Sequence, residues 1–310
     1  MQKLRLVFAG TPAVAVPSLD RLVASGHDLV GVVTRQPAPL GRKRVLTPSP
    51  VAQAATALDV PLIEANRLDA DVTARVAALE PDLGVIVAYG GLVREPLLST
   101  PVHGWINLHF SLLPAWRGAA PVQHSLIAGD TVAGASVFQL VPELDAGEVF
   151  AELRHPLQGH ETAGELLDAL ANSGAGLLAD VVDAIADGSA RSVPQLGEPS
   201  LAPKLSIDDA RLDWTLPAHE VHSRFRGVTP EPGAWTTIDE QRVKLLDLGA
   251  PVGDDIPALA PGELVPSARR VLIGTGTTPL ELRRVQPAGR PAMDAGDWWR
   301  GSGRSTAVAR

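Results

Sequence analysis

The sequence predicts an α/β protein: an open, mostly parallel sheet covered by helices, followed by a smaller β-rich domain closed into a barrel. The first half repeats continuous apolar runs of strand length with helical stretches between them, as parallel strands covered on both faces require. After residue 207 the apolar runs are short and separated by Gly and Pro turns, which suits a small β domain. A chain of 310 residues, 45% hydrophobic and 20% charged, is long enough for two globular domains and too apolar to be disordered.

In chain order, residues 4–9, 29–34 and 83–88 are the expected parallel strands. Residues 12–25, 50–58 and 70–79 carry helical spacing, and Gly26 is placed to end the first of these helices. Residues 106–109, 135–140 and 149–155 add strands, and 162–187 reads as a long helix rich in Ala and Leu. The expected division is a Rossmann-like domain over 1–187, a polar proline-bearing linker over 188–207 and an OB-like barrel over 208–310. Within the barrel, residues 234–238, 243–248, 270–273 and 280–285 are strands, and the Arg-rich tail beyond Trp299 is expected to fray.

Composition removes several classes of function. With no cysteine there are no disulfides, thiol nucleophiles or cysteine metal sites, so the chemistry runs on oxygen and nitrogen groups; no metal is expected. The N-terminal apolar run stops at Gly10, without a signal-peptide core, and a cytoplasmic protein is expected. Residues 96–116 carry no formal charge over about the length of a bilayer span. Pro101, Pro114, His103, His109 and Asn107 interrupt that stretch, which reads as buried protein and not as a membrane segment. The net charge of −8 lies in residues 1–200, with 13 Lys and Arg against 21 Asp and Glu; the remainder has 14 of each. Any nucleic-acid contact must therefore be local.

Gly10-Thr11-Pro12 follows the first strand, but it lacks the spaced glycines of a dinucleotide site and reads as a structural turn. The denser signal is Asn107-Leu108-His109, followed by Ser111 to Pro114. On a strand, Asn107 and His109 share a face at the carboxyl end, where open α/β sheets place their ligands. Asp145, in Leu144-Asp145-Ala146-Gly147 between two expected strands, arrives at the same sheet edge. An amide and an imidazolium can stabilise an oxyanion, so Asn107 and a protonated His109 are the expected donors, and a carboxylate can orient the imidazole and stabilise its charged form. With no serine nucleophile elbow, the trio suits acyl transfer directly between two substrates. Asp145 either holds His109 in its charged form or receives a proton from the attacking group.

The segments NLHFSLLPAWRGAAPVQHSLIAGD and LDAGE resemble the formyltransferase family that uses 10-formyltetrahydrofolate. FAGTP, GRKRVLTPSPV, IVAYG, KLSIDDARLDW and VQPAG extend the resemblance in order over nearly the whole chain. It implies Asn107, His109 and Asp145 as the catalytic trio. It implies Ser111, Leu112, Leu113, Pro114, Ala88, Tyr89, Leu92 and Leu140 around the folate. Phe110 departs from the pattern, which has a small residue there. The implied partners are the folate co-substrate and a charged initiator methionyl-tRNA, gripped through Arg42, Lys43 and Arg44. The expected protein is a bacterial monomer. A small amine as acceptor, a non-catalytic RNA-binding module and, third, a nicotinamide oxidoreductase are the competing readings. Physically, Arg35, Arg42, Lys43 and Arg44 with interspersed Pro and Gly form a mobile cationic loop, either simply solvated or set to meet phosphates.

Overall fold

The computed structural model describes residues 2–41, 43–251, 259–267 and 270–310. Two compact units emerge. The first comprises residues 1–119, 133–155 and 167–201, and the second 120–132, 156–166 and 202–310.

The first unit is built on a seven-stranded sheet. In chain order its strands are β1 (Arg5–Gly10), β2 (Asp28–Thr34), β5 (Leu62–Glu64), β6 (Leu83–Val87), β7 (Trp105–His109), β9 (Val132–Gln139) and β10 (Val149–Pro156). Between β2 and β5 a small antiparallel hairpin, β3 (Ala38–Leu40) and β4 (Val45–Thr47), stands apart from it. β8 (Arg117–Gly118) is a short piece whose Arg117 N–H donates to Ser200 O at 2.8 Å. The sheet order is β10-β9-β7-β6-β1-β2-β5. β1 runs parallel to β2 and β6, β2 to β5, and β6 to β7, while β9 turns antiparallel to β7. The chain builds outward from β1 to one side and then returns to the other, so the order reverses beside β1, where such sheets open a crevice at their carboxyl ends.

Helices α1 (Val16–Val23), α2 (Pro50–Ala57) and α3 (Ala70–Ala77) follow the expected spacing. Ser49 and Asp69 cap α2 and α3 by accepting the N–H groups of Ala52 and Val72. The first helix stops before Gly26: Ala24 holds the cap position, and the Ser25 hydroxyl donates to Leu22 O at 2.6 Å. α4 (Pro121–Ala128) belongs to the second unit. α5 (Ala163–Asp187) continues into the first, where Gly174 gives Leu108 of β7 room and Asp183 meets His27 Nε2 at 2.9 Å. Among the described residues only α5 is long and apolar enough to cross a bilayer, and half of its most apolar window is buried inside the protein.

The second unit carries β11 (Leu201–Ala202), α6 (Ala218–Gly227) and an antiparallel barrel. Its strands are β12 (Trp235–Ile238), β13 (Gln241–Pro251), β14 (Glu263–Ser267), β15 (Arg270–Ile273), β16 (Leu280–Pro287), β17 (Met293–Asp294) and β18 (Ala307–Val308), with α7 (Ala295–Ser302) before the last. The sheet order β12-β13-β16-β15-β14-β18 returns to β12 through an Ile238–Ala309 bridge. The Thr237 and Arg310 main chains also exchange bonds of 2.9 and 2.8 Å. Val243, Leu245, Leu264, Ile273, Leu282, Val285, Trp298 and Trp299 fill the interior. The tail expected to fray is therefore an ordered closing strand, because it satisfies edge groups that an open sheet would leave unpaired. Most of the stretch from Pro251 to Ala260 lies outside the described residues.

Candidate active site

β7 alternates strictly, and this places Asn107 and His109 on one face. Asn107 is half-buried, lies opposite Phe138 of β9, and lines a cavity of about 380 Å³. Its side-chain amide has no hydrogen-bond partner among the described residues. His109, at the end of the strand, is only 6% exposed and stands edge-on to the Phe138 ring at 6.3 Å and 89°. Its Nε2 lies 2.9 Å from Trp116 O. A carbonyl can only accept, so Nε2 carries the proton and Nδ1 is the variable position. Nδ1 faces Asp145 Oδ2 at 4.0 Å, an ion-pair distance and too long for a direct hydrogen bond.

Asp145 sits in the turn between β9 and β10 with φ 48°, a left-handed backbone that Asp tolerates better than most residues. Its Oδ2 accepts the Gly118 N–H at 2.7 Å. Two residues on, Gly147 lets the turn pass over the Gln139 carbonyl, into which any Cβ would run. Burial pushes the His109 imidazole below its usual range, while the Asp145 charge and the Trp116 carbonyl act in the opposite sense without cancelling it. At neutral pH the resting ring is therefore neutral and not the protonated donor expected from the sequence, because burial outweighs the carboxylate; Nε2 carries the proton, and the carboxylate lies close to the nitrogen that can take a second one.

The cavity has an apolar wall of Ile86, Leu92, Leu98, Phe138 and Leu140, and Arg94, Glu95, Asn107, Glu143 and Asp145 also line it. Apolar walls together with polar and charged groups suit a ligand that is flat and rich in hydrogen-bonding positions, such as a heteroaromatic ring. Of the residues expected around a folate, Leu92 and Leu140 line it. Ala88 is exposed, with φ 48°, where the chain leaves β6. Tyr89 is buried, and its hydroxyl donates to Ala65 O at 2.8 Å, so it braces the turn from behind. Ser111 to Pro114 are not in the cavity lining. The Ser111 hydroxyl donates to Ala115 O at 2.6 Å, Leu113 N–H donates to Ser136 Oγ at 3.2 Å, Leu112 crowds Gly134, and Pro114 follows a cis bond.

The expected cationic loop is a hairpin, with β3 and β4 paired from Ala38–Thr47 to Leu40–Val45. Lys43 and Arg44 lie exposed at its tip, whereas Arg42 lies outside the described residues. Leu40, Val45 and Leu46 are also exposed on it. Arg35 is not part of that cluster: its guanidinium donates to the carbonyls of Tyr89 (3.4 Å) and Gly90 and lies 5.8 Å from the Tyr89 ring centre. The Thr11 hydroxyl donates to Tyr89 O at 3.1 Å, which makes the Gly10-Thr11-Pro12 turn a support for the same segment. The described residues contain no cluster of three or more His, Asp and Glu able to hold a metal ion.

Sequence reading missed the residues that hold the trio. Trp116 and Gly118 act through main-chain groups, which no side-chain pattern reveals. Gln195 lies in the polar stretch expected to be free linker. Part of that stretch is bound to the first unit by the Val149–Val193 bridge and by Trp116 N–H donating to Ser200 Oγ at 2.9 Å.

The formyl transferase family profile matches residues 3–182, and the formyl transferase C-terminal domain profile matches residues 204–303. The chain is 62% identical over 300 residues to the methionyl-tRNA formyltransferase of Leifsonia xyli subsp. xyli, covering 97% of this chain and 98% of the relative. It is 61% identical over 307 residues to the enzyme of the same name from Clavibacter sepedonicus, covering 99% of this chain and all of the relative. Among solved structures, an N-formyltransferase from Helicobacter canadensis in complex with folinic acid and dTDP-3-aminofucose aligns with TM-score 0.70 at 15% identity, over 92% of this chain and 99% of that one. HypX from Aquifex aeolicus in complex with tetrahydrofolic acid aligns with TM-score 0.63 at 16% identity, over 95% of this chain and 46% of that one. At such identities these two likenesses concern the fold.

Proposed function

This chain belongs to the formyl transferase family, and we propose that it transfers the formyl group of 10-formyltetrahydrofolate to the α-amine of methionyl initiator tRNA in the bacterial cytoplasm. The observation that carries the reading is identity above 60% over nearly the full length to enzymes named for that acceptor. The cavity lined by apolar side chains and by Asn107 and Asp145 supports a folate as donor.

When bound, the folate supplies an electrophilic formyl carbon, and everything else is asked of the protein. Asn107, with its amide uncommitted, donates hydrogen bonds to the oxygen on which negative charge develops as the amine attacks. His109, neutral at rest, receives the proton that the amine loses, on Nδ1. Asp145 stabilises the resulting imidazolium across 4.0 Å, and His109 then returns the proton to the departing folate nitrogen. The hairpin tip with Lys43 and Arg44, together with Arg42, contributes phosphate contacts, and the barrel of the second unit a further RNA surface.

The test is transfer of labelled formyl to charged initiator tRNA, with free methionine and a nucleotide-linked amino sugar as competing acceptors. Product with the tRNA alone is expected; transfer to the amino sugar instead would overturn the acceptor assignment. Lys43→Ala with Arg44→Ala should raise the KM for tRNA and lower the log–log salt slope by about 2, one phosphate contact per cation.

A further inference from the structure

Gln195 uses every hydrogen-bonding position of its side chain next to the proposed catalytic pair. Its Nε2 donates to Asp145 O and to Gly147 O, both at 2.8 Å. Its Oε1 accepts from Arg117 Nε at 3.2 Å and Nη2 at 2.6 Å. The partners fix the amide's orientation, since carbonyls only accept and a guanidinium only donates. Gln195 therefore bridges the main chain on both sides of Ala146, in the turn that holds Asp145 at φ 48°. The other end of the clamp is equally specific. Trp116, Arg117 and Gly118 are consecutive, and they bind His109 through a carbonyl, Gln195 through a guanidinium and Asp145 through an N–H. One short segment thus registers the imidazole, the carboxylate and the residue that clamps the carboxylate's turn.

We infer that Gln195 is a positioning residue: with Arg117 it locks the Asp145 turn so that the carboxylate faces His109 Nδ1. Gln195 is not itself among the residues that line the cavity, and it acts through the main chain of the Asp145 turn. The inference rests on the proposed roles of His109 and Asp145. A glutamate at 195 would keep the arginine but turn an acceptor toward two carbonyls, so charge and size alone do not replace the amide.

The test compares wild type, Gln195→Ala, Gln195→Glu and Asp145→Asn. The His109 imidazole is titrated by NMR, assigned with His109→Gln, so that this reading needs no substrate. Release of the Asp145 turn should lower the His109 midpoint in both Gln195 variants, in the direction given by Asp145→Asn and by about one pH unit. In formyl transfer, Gln195→Ala should lose about 10- to 100-fold in kcat with the folate KM nearly unchanged, the cost of a misplaced catalytic group. In an Asp145→Asn background it should lose almost nothing more. An unchanged His109 midpoint, or a full additional loss in the double variant, would overturn the inference. Absence of transfer by the wild-type protein would overturn the proposed function instead and leave the NMR result to decide on Gln195.

Discussion

Replacing Asp145 with Asn removes one charge and little else. Asn is nearly isosteric, tolerates the left-handed backbone at φ 48°, and can keep a carbonyl oxygen on the Gly118 N–H. The loss is the carboxylate charge 4.0 Å from His109 Nδ1. At an effective dielectric of about 20, two unit charges at that separation interact by ~4 kcal/mol, and by ~1 kcal/mol if water screened them fully. The side chains of His109 and Asp145 are 7% and 15% exposed, so the site lies toward the first value. A deficit of about 3 to 4 kcal/mol on the imidazolium formed during transfer corresponds to a fall of about 10²- to 10³-fold in the chemical step. Single-turnover transfer of labelled formyl, at saturating folate and tRNA, measures that step directly. Because the carboxylate holds the imidazole's basicity up, its removal should also move the acid limb of the rate profile to lower pH. A loss below about 5-fold in a folded variant that binds folate normally would refute the argument, since a charge at this distance between side chains so little exposed could not then be worth so little.

The barrel's closing strand makes a stability prediction. Deleting residues 307–310 removes the Arg310 and Thr237 exchange, the Ala309 N–H bond to Gly262 O at 2.8 Å, and the buried side chains of Ala307 and Ala309. At about 1 kcal/mol per hydrogen bond the loss should be ~3 kcal/mol, seen as a lower Tm in calorimetry; an unchanged transition would mean the strand is dispensable. His222 makes a prediction for pH. Burial first, then the Arg226 charge, lowers its pKa to about 4, whereas an unfolded chain titrates near ~6.5. Between those values the unfolded state binds the extra proton, so this contribution to stability is complete above pH ~6.5 and declines as pH falls toward 4. Urea unfolding across that range should show a shallower acid decline for His222→Leu, and identical slopes would rule the group out.

Where the sequence could be read and where it could not follows from how far each determinant reaches along the chain. The strands of the first unit announce themselves because both faces are buried, so that β1, β2 and β6 are continuous apolar runs. The carboxyl-end pair Asn107 and His109 is visible for the opposite reason: polar side chains at spacing two in such a run are costly to bury without a use for them. The β3–β4 hairpin left no such mark, since its strands are three residues long and expose Leu40, Val45 and Leu46 instead of burying one face. The closing strand of the barrel was hidden because its value lies in main-chain bonds to β12 and β14 across long sequence separations.

Of the two roles that the sequence left open for Asp145, the surroundings of His109 favour support of the imidazolium. A group that removes the amine proton must itself be free to accept it. Asp145 Oδ2 accepts the Gly118 N–H at 2.7 Å, which fixes the carboxylate's orientation and leaves acceptor capacity on its other oxygen, so the case against it rests on basicity and not on hydrogen bonding. His109 is the better acceptor: Nε2–H is spent on Trp116 O, Nδ1 is open, and imidazole is intrinsically the stronger base. Burial makes the ring neutral before reaction, the form that can accept a proton, and the carboxylate 4.0 Å away makes the charged form tolerable afterwards. Burial alone would leave a base too weak to help; the carboxylate alone would leave a cation with no room for the proton. His109→Gln should therefore cost at least as much turnover as Asp145→Asn, because it removes the acceptor itself. A glutamine variant faster than the asparagine variant would show that the proton travels through Asp145 after all.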